Sequence, residues 1–171
     1  MKINNRRLFV CSDHHFGQKS FYRHNPKYGF TLRPEFASVE QADKAIIDNH
    51  NSIVPKHNSI VYFLGDLASN VTHLQKVAEM NGEIKVLIAG NHDTKFPLAA
   101  LSRHFHQVLG CAYLLDRTFV LSHIPVHESE LRGMTNIHGH THRQIIFDKR
   151  YISACLEVNN YLPLEIEKIN Q

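Results

Sequence analysis

The chain has 171 residues, 43% of them hydrophobic and 20% charged, with a formal net charge of +3. These values point to a single globular domain, residues 1–171, with room for a substantial core; they exclude disorder and the densely basic face of a duplex-binding protein. Histidine is the outlier, at 14 residues, and it is both the commonest metal ligand and the usual proton carrier near neutral pH.

Taken in chain order, the start MKINNRRLFVCSDHH has an apolar run too short for a secretory signal and no small-residue cleavage site. The first strand is predicted over RLFVCS (7–12), running into Asp13-His14-His15. Residues 16–34 then form a long segment with Lys19, Arg23, Lys27 and Arg33, five aromatics and no acid. It is expected to act as a lid or wall, with charge for a phosphate and rings for a base, or else to be a solvated loop pinned by its aromatics. Arg33 is the residue singled out there for substrate. A helix is predicted over SVEQADKAIIDNHNSIV (38–54), with Ser38 as its cap and Gln41 at the capping-box spacing. The next strand, SIVYFLG (59–65), ends at Asp66. A second helix is predicted over NVTHLQKVAEMNG (70–82), from the cap Asn70 to the stop Gly82.

IKVLIAG (84–90) reads as a strand that ends in Asn91-His92-Asp93, and a short helix follows Pro97. TFVLSH (118–123) is a strand closing on His123, with His127 four residues on expected to reach substrate. TNIHG (135–139) is a strand delivering His140-Thr141-His142, and YISACLEV (151–158) is the last. Cys11, Cys111 and Cys155 are scattered, with no CxxC pair, so they predict buried thiols in a reducing compartment rather than zinc ligands or disulfides. No run approaches the 18 or more apolar residues of a membrane span. The expected setting is cytoplasmic, with no membrane partner.

Strands alternating with helices predict a layered α/β domain, and five strands end in residues that bind metal or move protons. In such folds, sites lie beyond the carboxyl ends of the strands. Asp13/His15 and His140/His142 are i,i+2 pairs, which an extended segment projects to one side. His14 and His138 should then face away, making core or supporting hydrogen bonds. Asp13, His15, Asp66, Asn91, His123, His140 and His142 make seven candidate ligands. That is too many for one tetrahedral ion and suits two ions sharing a carboxylate. The mixed oxygen and nitrogen set without thiolates favours first-row transition metals over Mg or Ca.

The blocks D-x-H (Asp13, His15), G-D (Gly65, Asp66), G-N-H-D (Gly90 to Asp93), a lone His123 and G-H-x-H (Gly139 to His142) resemble the calcineurin-like metallophosphoesterases, in the family's order. HFG, RPEF and CLEVNNYLPLE look like a small, capless branch found in bacteria and phages. The resemblance implies a two-sheet β-sandwich flanked by helices, with a dimetal site at the C-terminal ends of the strands. Asp13, His15 and His142 would hold one divalent ion, Asn91, His123 and His140 a second, and Asp66 would bridge them. Manganese is the leading candidate, with Fe, Zn, Ni or Co behind it. Two such ions would acidify a water for in-line attack on phosphorus, and His92 would help the departing oxygen as a general acid.

The function expected from this is that of a metal-dependent phosphoric ester hydrolase acting on phosphodiesters or nucleotide-like small molecules. The alternatives are a non-catalytic metal-binding scaffold, as in the retromer subunit built on this fold, and a nuclease acting on nucleic-acid ends. Nucleic acid is the less favoured partner, and the sequence leaves the oligomeric state open. The set departs from the protein-phosphatase branch at Ser69, where that branch carries a second Asp that orients the catalytic His. The departure argues against phosphoprotein substrates and leaves the partner of His92 unassigned.

Overall fold

In the computed structural model, which describes residues 6–24, 29–115 and 117–168, four successive residues of the first strand, Leu8 to Cys11, are all buried. Successive side chains of a strand point to opposite faces, so this strand requires an apolar layer on each side. The described strands are β1 (Arg7–Cys11), β2 (Ser59–Phe63), β3 (Ile84–Ile88), β4 (Gln107–Leu109), β5 (Cys111–Leu114), β6 (Phe119–Ser122), β7 (Thr135–His138), β8 (Tyr151–Ser153) and β9 (Leu164–Glu165). They form a five-stranded sheet in the order β4-β3-β2-β1-β9 and a four-stranded sheet in the order β5-β6-β7-β8. Both are mixed, since β9 and β5 each run antiparallel to their neighbour while the other pairings are parallel.

Leu8 and Val10 of β1 join Tyr62, Val86 and Ile88 against Phe119, Leu121 and Ile137 of the second sheet. Phe9 and Cys11, on the other face, pack with Phe63 and Leu87 against the helices α1 (Val39–Ile53), α2 (Val71–Leu74) and α3 (Leu98–Leu101), through Ile46, Leu74 and Leu101. Each large apolar side chain buried in these layers contributes about 1.5–3 kcal/mol. The result is a mixed α/β architecture of two face-to-face sheets with few helices. Helical cover is one-sided among the described residues: the outer face of the four-stranded sheet carries a smaller cluster of Val120, Leu131 and Met134. No described helix is long and apolar enough to cross a membrane.

Ser38 caps α1 as predicted, its hydroxyl accepting the Gln41 N–H at 3.2 Å, while the Gln41 side chain accepts from the Ala37 N–H at 2.7 Å, one residue before the cap N–H that a capping box uses. The second helix is shorter than predicted. After α2 the chain tightens into a 3₁₀ segment, Gln75–Glu79. Pro97 caps α3 rather than entering it. The strand predicted over 151–158 ends at Ser153, and Leu156–Val158 is a 3₁₀ turn. Lys27, part of the expected lid, lies outside the described residues. Register aligns the strand ends. Val10 lies opposite Tyr62, which lies opposite Val86, and Ser122 lies opposite His138, so the residues after these strands emerge level with one another.

Candidate metal centre

Three groups of potential ligand atoms gather at that edge: Asp13, His15 and His142; His15, Asp66 and His92; and Asp66, His123 and His140, each within 4.8 Å of one another. Asp66 joins the outer groups, with Oδ2 3.5 Å from His15 Nε2 and Oδ1 3.4 Å from His123 Nε2. Asn91 stands at the same end, its Oδ1 3.0 Å from His123 Nε2. His92 is exposed at the rim, with Nε2 3.8 Å from Asp66 Oδ2. All eight residues expected at the metal and proton-transfer positions are therefore brought together.

The pairs do not reach one place as extended segments, however. Asp13, His15, Asp66, His140 and His142 all have positive φ, between 49° and 70°, in the sparse left-handed region. The backbone kinks at each of these five residues. His14 does turn inward, against Phe16 and Phe63, but neither ring nitrogen makes the hydrogen bond expected of it. His138 is buried with Nδ1 2.9 Å from the Gly139 carbonyl oxygen.

Neighbouring groups fix the ligands. The His123 Nδ1–H donates to the Leu64 carbonyl at 2.6 Å, which leaves Nε2 toward the site. The His140 backbone N–H donates to Asp13 Oδ2 at 2.8 Å, and the Ser12 hydroxyl lies 2.6 Å from that same oxygen. Asp93 turns away from His92 and accepts three backbone N–H groups, those of Asp66 (2.8 Å) and Gly90 (2.9 Å) on Oδ2 and of Leu67 (3.0 Å) on Oδ1. Burial pushes the Asp93 carboxyl up while these donors work against the shift. Two motif glycines are explained by crowding. A Cβ on Gly90 would sit 2.3 Å from Asp66 Oδ1, and one on Gly139 would sit 1.9 Å from Ser12 Oγ.

Two atoms test whether these residues suit a cation. Asp13 Oδ1 and His15 Nε2 are buried without a hydrogen-bond partner and face each other at 3.7 Å. Leaving such groups unpaired costs about 1–3 kcal/mol each, and a cation between them would satisfy both. Burial lowers the pKa of the His123 imidazole, but Asp66 and Asp13 outweigh it and hold the group up at about 8. The site thus attracts positive charge, and its carboxylate and imidazole donors fit a divalent transition metal.

Four of the candidate ligands, His15, Asp66, His140 and His142, line a cleft of about 530 Å³ together with His92. Phe21, Phe30 and Leu32 line one side, and Thr141, Arg143 and Gln144 another. None of these was singled out from the sequence, although Phe21 and Phe30 belong to the expected lid and Arg143 directly follows a ligand. Arg143 is tied to the Leu32 carbonyl at 2.7 Å and to the Glu35 carboxylate. The two residues expected to hold substrate stand elsewhere. Arg33 is fully buried and paired with Glu157, so its charge is spent inside the protein. His127 is exposed away from the cleft lining, with Nδ1 accepting the Ser129 N–H at 3.3 Å at the start of the short Glu128–Glu130 turn.

No protein-family model matches the chain. An uncharacterised protein of Methanocaldococcus jannaschii, MJ1445, is 32% identical over 177 residues, covering 96% of this chain and 89% of that protein. The crystal structure of AQ665, a protein of unknown function from Aquifex aeolicus, shares the fold with a TM-score of 0.74 at 21% identity, over 97% of this chain and 98% of its own. The Pseudomonas putida nuclease MPE overlaps less, with a TM-score of 0.47 at 21% identity, over 79% of this chain and 61% of the nuclease.

Proposed function

The chain belongs to the family of the uncharacterised Methanocaldococcus jannaschii protein MJ1445, and for this member we propose a metal-dependent phosphoesterase of the calcineurin-like kind. Its substrates would be small phosphodiesters or nucleotide-like esters. The observation that carries this reading is the division of Asp66, whose two oxygens face His15 at 3.5 Å and His123 at 3.4 Å. Asp13, His15 and His142 would hold one divalent cation and Asn91, His123 and His140 the other, with Asp66 between them. Manganese is our first choice.

When bound, such cations supply Lewis acidity, lowering the pKa of water and neutralising charge on phosphoryl oxygens. The remaining steps belong to the chain. His92, at the rim of the cleft, can donate a proton to the leaving oxygen, a contribution on the order of 10²–10⁴ in rate. Its backbone N–H donates to Asp66 Oδ1 at 2.9 Å, which holds the segment carrying that imidazole against the ligand group. Phe21, Phe30 and Leu32 would exclude water from one side of the ester, while Thr141 and Gln144 offer it hydrogen bonds.

The test is a matrix of metals and substrates. Chelator-stripped protein would be reloaded with Mn, Fe, Zn, Ni, Co or Mg and assayed on monoester and diester chromogens and on cyclic nucleotides. Metal-dependent diester hydrolysis is expected, strongest with Mn. Metal uptake without hydrolysis in any combination would replace the enzyme with a binding module.

A further inference from the structure

We propose that Arg33 and Glu157 form a positioning pair that fixes the ligand His142 and the backbone beside the ligand Asp13, a role that rests on the proposed metal centre. Arg33 and Glu157 come from segments 124 residues apart and meet in the interior, with Nε 2.9 Å and Nη2 2.8 Å from Glu157 Oε1. The guanidinium also donates to the carbonyl oxygens of Asp13 at 2.5 Å and His14 at 2.9 Å. It lies over the rings of Phe21 and Tyr161, 5.2 and 5.8 Å from their centroids. Glu157 Oε1, in turn, accepts from His142 Nδ1 at 3.3 Å.

Stability does not account for such a pair. Removing two charges from water is costly, and a buried ion pair is often no better than apolar side chains of the same volume. Geometry does account for it. A carboxylate at Nδ1 keeps the proton on that nitrogen, so Nε2 presents its lone pair 3.9 Å from Asp13 Oδ1, near the spot His15 Nε2 faces. A carboxylate behind a ligating imidazole both orients the ring and raises its basicity, and removing such a partner typically weakens metal binding by about 10–100-fold. Arg33 holds Glu157 in place and, through two carbonyls, the kinked segment that presents Asp13 and His15. The pair therefore touches His142 and the backbone of Asp13 and His14, all beside the first ion's place, and none of the residues expected only at the second.

The experiment is calorimetric titration of chelator-stripped protein with Mn²⁺, alongside melting curves recorded in chelator. Wild type should take up two ions. Glu157→Gln should weaken one of them by about 10–100-fold and leave the other unchanged, and its unpaired Arg33 should lower the melting midpoint. Arg33→Met/Glu157→Gln removes the stranded charge but also the donor to the Asp13 and His14 carbonyls; its midpoint should recover only in part, while the one weakened affinity does not recover. In a His142→Ala background, Glu157→Gln should weaken Mn²⁺ much less than in the wild-type background, because the direct contact of Glu157 with a ligand runs through that ring. Wild-type affinity for both ions in the double variant, or additive losses with His142→Ala, overturns the positioning role alone. A wild-type protein that takes up no Mn²⁺ overturns the metal centre and this proposal with it.

Discussion

Replacing Asp93 tests whether the turn carrying Asp66 is held from behind. The residue adjoins His92, yet it is 1% exposed and its carboxylate points into the protein. In Asp93→Asn, the amide oxygen can take the place of Oδ2 and keep the bonds from Asp66 and Gly90. The amide nitrogen must then face the Leu67 N–H, so one bond is lost and two donors oppose each other. A hydrogen bond to a charged group contributes about 1.5–3 kcal/mol. Burial already pushes this carboxyl's pKa up, so the neutral amide recovers part of that, and the expected net loss is about 1–2 kcal/mol. Asp93→Ala strands three buried donors at about 1–3 kcal/mol each, at least about 3 kcal/mol together. For a chain of this size each kcal/mol lowers the melting midpoint by about 2–4 °C, so asparagine should cost about 2–8 °C and alanine more than about 6 °C. Melting in chelator measures this without a contribution from metal. Wild-type midpoints for both variants, or asparagine below alanine, would refute the reasoning.

Asp66→Asn should weaken both ions, because one carboxylate faces both groups; two tightly held Mn²⁺ per chain, by elemental analysis after desalting, would contradict that assignment. His92→Ala should retain its metal and lose on the order of 10²–10⁴ in turnover of a diester with a poor leaving group, and near-normal kcat would remove the imidazole from proton transfer. His127→Ala should leave diesterase activity within about twofold, since the ring bonds to Ser129 and surface changes are normally mild; a rise in KM of about tenfold would return it to the substrate. Ser38→Ala should cost about 1 kcal/mol of stability through the lost cap with Mn²⁺ affinity unchanged, as paired melting and titration would reveal.

The sheets were readable where burial is continuous. β1, β2 and β3 present apolar side chains to both layers, and such runs stand out in any window of sequence. β4 and β5 lie at sheet edges, with Gln107, Leu109, Cys111 and Tyr113 exposed, and β9 has only two residues, so no apolar run betrays them. Arg33 illustrates a different failure. Its charge and its place in a basic segment suggest a phosphate partner, whereas Glu157, which neutralises it, arrives from a segment predicted as plain strand. Sequence spacing carries no trace of that meeting.

The candidate ligands were legible because their chemistry is, but the kinked backbone that brings them together was not. A non-glycine residue held in a sparse region of φ and ψ costs on the order of 1–3 kcal/mol and persists only when its surroundings over-determine it. Five ligands adopt left-handed φ, and bonds that hold them come from outside their own segments. Arg33 takes the carbonyl of Asp13; Asp93 takes the N–H of Asp66; Asp13 Oδ2 takes the N–H of His140. The last of these makes one ligand part of the support for another, across 127 residues of sequence. Disturbing a support should therefore act first on the ion whose ligands it aims. That is why uptake of the two ions, measured separately, distinguishes these roles better than activity does.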